Sequence, residues 1–104
     1  MRYGDFTAKD SFNSAAADKL SSLDTTITVT GIELAEKPDK DGAVTRTATL
    51  KTNEEKLYAT VSASAIQQIE ALADMFEEGG TSFDISVVHR TSGAGRDYIQ
   101  LQLS

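Results

Sequence analysis

At 104 residues and 11.2 kDa the chain has the length of one domain, since domains most often run to about 100–150 residues, and a multidomain machine is excluded. Hydrophobic residues at 39% and charged residues at 25% are the balance of a globular chain, and the absence of cysteine removes disulfides, thiolate metal clusters and thiol nucleophiles. A net charge of −6, from 16 acidic and 10 basic residues, excludes a strongly basic nucleic-acid binder. Residues 63–80 carry Glu70, Asp74, Glu77 and Glu78 and no Lys or Arg, so the remainder is nearly balanced. A locally basic groove is still allowed, because charges more than about 8–10 Å apart are largely screened at physiological salt.

The opening MRYGDFTAKD has no basic region followed by an apolar run, and no stretch approaches the roughly 20 apolar residues of a membrane span. The expected location is therefore the cytoplasm, without membrane contact. Phe12, Ala16 and Leu20 recur at four-residue spacing and predict a short helix over 11–22; the competing reading of residues 1–24 is a mobile arm. From Thr25 the pattern changes to alternation with β-branched residues. In TTITVTGIELAE, Ile27 and Val29 share a face, and Ile32 and Leu34 resume it one residue late after Gly31, which predicts a β-bulge and a bent strand. Glu36 to Gly42 predicts a turn, with Pro38 setting φ and Gly42 supplying a left-handed position.

A second strand is expected over 43–52, with Val44, Ala48 and Leu50 inward and Thr45, Thr47, Thr49 and Lys51 outward. The third, over 56–62, is expected to point Leu57, Ala59 and Val61 inward and Tyr58, Thr60 and Ser62 outward. Ser64-Ala65-Ile66-Gln67 reads as a capping box at a helix start. Ile66, Ile69, Leu72, Ala73 and Phe76 form its apolar stripe, and Gly79-Gly80 end it. Two strands follow, Phe83, Ile85 and Val87 alternating with Asp84 and Ser86, then Ile99, Leu101 and Leu103 with Tyr98, Gln100 and Gln102. Between them Thr91-Ser92-Gly93-Ala94-Gly95 makes a hairpin loop flanked by Arg90 and Arg96.

The expected fold is mainly β (α+β). Three strands, a helix and two strands, with the first strand bulged, is the element order of the five-stranded OB-fold barrel, here with one helix between strands three and four and a short N-terminal helix. Residues 1–24 form the N-terminal helix or arm and 25–104 the barrel; another small α+β roll or sandwich is the competing architecture. On this element order, residues 25–104 resemble the small OB-fold single-stranded DNA-binding proteins of phages and conjugative elements. The resemblance implies a non-enzymatic module that binds single-stranded DNA or RNA through the strand 2–3 face and two hairpin loops. It implies Lys37 and Lys40 in the first loop, Lys51 and Tyr58 on the face, and Arg90 and Arg96 around the second loop. Tyr98 joins them as a ring on which a base can stack.

Each residue also has a plainer reading. Tyr58 and Tyr98 can fill cross-strand pairs, and the glycines at 93 and 95 can simply turn the chain, which carries no Walker motif. Asp39 and Asp41 resemble part of a calcium loop, but its first ligand position is Lys37, so they read as turn formers and no metal or other cofactor is expected. His89 has no identifiable catalytic partner. Glu70, Asp74, Glu77 and Glu78 lie along one helical stripe, usually a solvated face. Their sharper reading is an acidic inhibitor or adaptor surface that imitates DNA and binds a basic protein such as a nuclease, including a Cas nuclease. A phage structural protein is a third reading, and a homo-oligomer stays open.

Overall fold

The computed structural model describes residues 1–38 and 40–103, and every side chain among them except that of Lys37. In chain order they form strand β1 (Arg2–Gly4), helix α1 (Ala8–Asn13), a 3₁₀ turn at Ser14–Ala16, strand β2 (Asp18–Lys19) and a second 3₁₀ turn at Leu20–Ser22. Strands β3 (Thr26–Pro38), β4 (Val44–Thr52) and β5 (Leu57–Thr60) follow, then helix α2 (Ala63–Glu77) and strands β6 (Phe83–Thr91) and β7 (Asp97–Leu103). The strands build one mostly antiparallel sheet in the order β2-β5-β4-β3-β6-β7, with β1 on β3, curled into a half-barrel.

Strand β3 is the spine. Its first half, Thr26 to Val29, pairs with β6, and its second half, Gly31 to Pro38, pairs with β4. The register shifts between Val29 and Gly31, where the sequence breaks phase, and a bulge there bends the strand so that it serves both halves of the sheet. Gly31 is also where the chain's start crosses over. A Cβ on it would lie 2.6 Å from the Phe6 backbone nitrogen, so no side chain fits without lifting residues 5 and 6.

The concave side is filled by Val29, Ile32, Ala48, Leu50, Ile85, Val87, Ile99 and Leu101 together with the α2 stripe of Ile66, Ile69, Leu72, Ala73 and Phe76. Phe76 meets Phe83 edge to face, with ring centres 5.0 Å apart, the arrangement aromatic quadrupoles favour. The end of α2 is also as the sequence predicts. Gly79 has φ +109°, and the Gly80 and Gly79 N–H groups donate to the carbonyls of Met75 and Phe76, the paired closure of a Schellman motif.

Four expectations are corrected. The sheet has seven strands, not five, because the N-terminal residues add β1 and β2. The helix over 11–22 is replaced by α1 and two 3₁₀ turns, with Leu20 buried and Phe12 87% exposed; a single short helix is marginal by itself, and residues 18 and 19 instead take the ladder bonds offered by β5. The capping box at Ser64 does not form, since α2 starts at Ala63 behind Ser62 with no side-chain cap. The reciprocal box is at α1, where Thr7 Oγ1 accepts from the Asp10 N–H and Asp10 Oδ2 accepts from the Thr7 N–H. Finally, β5 has the opposite parity: Tyr58 is buried and Val61 is 67% exposed. Tyr58 is paired with Leu50, which faces the core, and paired residues share a face.

Candidate functional site

The OB resemblance assigns the outer face of β4 and β5 to nucleic acid, and beside it the inner parity of β4 leaves Gly31, Glu33, Thr49 and Lys51 on the convex surface of β3 and β4. The chain's own start covers it. Phe6 packs there, Ser11 Oγ donates to Glu33, and the Asp5 N–H donates to the Thr30 carbonyl. Lys51 is drawn into the covering segment. Its side chain is only 8% exposed, and Nζ lies 2.9 Å from Asp10 Oδ2, 3.5 Å from Asp5 Oδ2 and 3.1 Å from the Asp5 carbonyl. Burial alone would raise the Asp10 carboxyl, but the Lys51 ammonium and the Thr7 N–H and hydroxyl outweigh it and hold Asp10 below the usual carboxylate range. Asp10 in turn holds the Lys51 ammonium above the usual lysine value, against its burial.

Lys51 and Tyr58 therefore leave the candidate surface. The first is paired inside the fold, and the second is a core side chain. The other residues fall at two places. Lys40 is exposed in the loop between β3 and β4, Lys37 pairs by its backbone with Thr45 while its side chain lies outside the described residues, and Asp39 lies outside them too. Arg90, Arg96 and Tyr98 come together at the far end of the β6–β7 ribbon. Arg90 and Tyr98 are directly opposite across the ladder, Arg90 Nε donates to Gln100 Oε1, and Arg96 is exposed at the hairpin.

Beside that cluster the sheet is open. A cleft of about 710 Å³ separates the end of β5 and the residues that follow it, Ala59 to Ser62, from the start of β7, Asp97 to Ile99, a size usual for small-ligand sites. Its walls include Lys19, His89 and Tyr98 and the small polar residues Ser21, Thr47 and Thr60. Among the described residues Lys19, Arg90 and Arg96 enter no salt bridge, so a locally basic rim exists on an acidic protein. His89 donates its Nε2–H to the Leu23 carbonyl, which makes the ring a brace for the chain before β3. Lys19 carries no signal in the sequence, because its place depends wholly on the two-residue pairing of β2 with β5.

The acidic stripe is shorter than its spacing suggests. Glu70 is bonded to Arg46, while Asp74, Glu77 and Glu78 stand exposed. Among the described residues no group of His, Asp or Glu is arranged to hold a metal, and no helix is long and apolar enough to cross a membrane. Compared with protein-family models, curated proteins and solved structures, the chain matches none.

Proposed function

We propose that the protein is a non-enzymatic module for single-stranded nucleic acid, DNA in the first instance, built on a barrel of the OB type and binding in the open seam between β5 and β7. The strand order supports the barrel assignment. Among the five long strands the bent first one pairs with both the second and the fourth, and the helix follows the third, as in a partly open Greek-key barrel. The observation that carries the function is the seam itself: a cleft with Tyr98 on its wall and, around it, Lys19, Arg90 and Arg96, which enter no ion pair among the described residues. Rings supply sequence-tolerant stacking and cations follow the phosphates, the two elements of single-strand binding.

Anisotropy of a fluorescent oligo-dT strand tests this. Three phosphate contacts imply about a 20-fold loss of affinity between about 50 and about 200 mM salt. Arg90→Glu with Arg96→Glu is expected to abolish binding, and Tyr98→Ala to weaken it about tenfold; Asp74→Lys with Glu77→Lys should leave it intact or tighten it. No binding at low salt overturns the reading. Asp74, Glu77 and Glu78, exposed and in no ion pair among the described residues, favour the second reading, an acidic face for a basic protein. Loss of partner inhibition in Asp74→Lys with Glu77→Lys, with the arginine variants silent, would establish that reading instead.

A further inference from the structure

Strand β7 is an edge of the sheet, and its backbone shows what that edge accepts. In an antiparallel pair, alternate residues turn their N–H and C=O toward the partner or away from it. Leu101 is turned away from β6. Its N–H donates to Gln68 Oε1 at 2.8 Å and its carbonyl accepts from Gln68 Nε2 at 2.7 Å. The side-chain amide of α2 thus docks flat on the strand edge, one acceptor and one donor side by side. Ile99, two residues earlier, has the same phase, and the Ser92 N–H donating to the Arg96 carbonyl sets that phase from the other end of the ribbon. The Ile99 N–H and C=O therefore point out of the ladder at the cleft that Ile99 lines.

A ligand for this position must repeat what Gln68 offers at Leu101, a planar group with adjacent acceptor and donor. The Watson–Crick edge of an unpaired nucleobase has that pattern. A peptide strand offers it too, but Asp97 and Ile99 are the two outward residues between the hairpin loop and the Gln68 clamp, a three-residue span at the short limit of strand pairing. The surroundings also favour the base, since Tyr98 presents a ring beside Ile99 and Lys19, Arg90 and Arg96 supply positive charge. We propose that the Ile99 backbone holds the Watson–Crick edge of one unpaired base in the β5–β7 cleft, with Tyr98 as its stacking neighbour. This rests on the nucleic-acid reading above and specifies how that site takes a base.

The test uses the wild-type protein, so no variant has to fold. Amide spectra are recorded with oligo-dT, with the same strand methylated at every thymine N3, and with an abasic strand of equal charge. With oligo-dT the Ile99 amide proton is expected to move downfield. Neither the N3-methylated nor the abasic strand should move it, while all three shift the amides around Arg90 and Arg96. N3-methylation blocks one base hydrogen bond and crowds the other, so affinity should fall about tenfold with an unchanged salt slope. Equal affinity for the dT and N3-methylated strands, with Ile99 unmoved, overturns this inference and leaves the nucleic-acid reading standing. Binding of none of the strands overturns both. A short Val/Thr peptide that moves Ile99 when dT does not would reassign the edge to strand addition.

Discussion

Replacing Asp10 by alanine removes one carboxylate and strands an ammonium. Lys51 Nζ has Asp10 at 2.9 Å and Asp5 at 3.5 Å, but Asp5 is 71% exposed and Asp10 only 14%, so most of the compensation for burying the charge comes from Asp10. Breaking a buried pair by removing one partner costs about 3–5 kcal/mol, with the low end expected here because Asp5 remains. The same change dissolves the capping box with Thr7, worth about 1 kcal/mol. Asp10→Ala should therefore cost about 3–4 kcal/mol, a large part of the roughly 5–15 kcal/mol that holds a domain together. Lys51→Met removes the charge and keeps an apolar stem of similar length, so its cost should be about 1 kcal/mol or less. The double variant should be more stable than Asp10→Ala alone. Urea unfolding followed by circular dichroism, with m-values compared, measures all three. If Asp10→Ala falls within about 0.5 kcal/mol of the wild type, as a change on an open surface does, or if the two single costs simply add, then Lys51 is not held by Asp10.

The same pair sets a pH dependence. Asp10 is depressed in the fold, so its contribution is fully present above the ordinary aspartate value and is lost as pH falls through the depressed one; Lys51 is raised, so its contribution is present below the ordinary lysine value and is lost as pH rises through the raised one. Wild-type stability should thus drop at the acid end more steeply than that of Asp10→Ala with Lys51→Met, as measured by thermal melts across pH. Gly31→Ala should cost about 1–3 kcal/mol, since its Cβ meets backbone rather than a movable side chain, and the Asp5 amide should lose exchange protection. Tyr58→Ala should lower stability by about 3 kcal/mol, whereas Tyr98→Ala, on an exposed ring, should stay within about 0.5 kcal/mol in the same melt. Thr7→Ala should cost about 1 kcal/mol and Ser64→Ala almost nothing, because only Thr7 caps a helix.

The features legible from residue order are those written within one segment. The α2 stripe, its stop at Gly79-Gly80, the phase break at Gly31 and the alternation of β6 and β7 are periods of a single element, and each reappears in the structure. Element order likewise carried the mainly β, curled character of the sheet. Tertiary structure alone decided what depends on two distant segments. In β5 the alternatives were Leu57, Ala59 and Val61 against Tyr58 and Thr60, two sets that each mix apolar and small residues; the register of Leu50 against Tyr58 chose between them, and a one-residue slip would reverse the choice. An outward lysine on β4 reads as a contact for phosphate until residues 5 to 10 return across some 40 positions to cover it. The β5–β7 cleft belongs to no segment at all. It exists because a two-residue strand from the N-terminal part of the chain caps one edge of the sheet and leaves the other open, and sequence periodicity holds no record of a gap between edges.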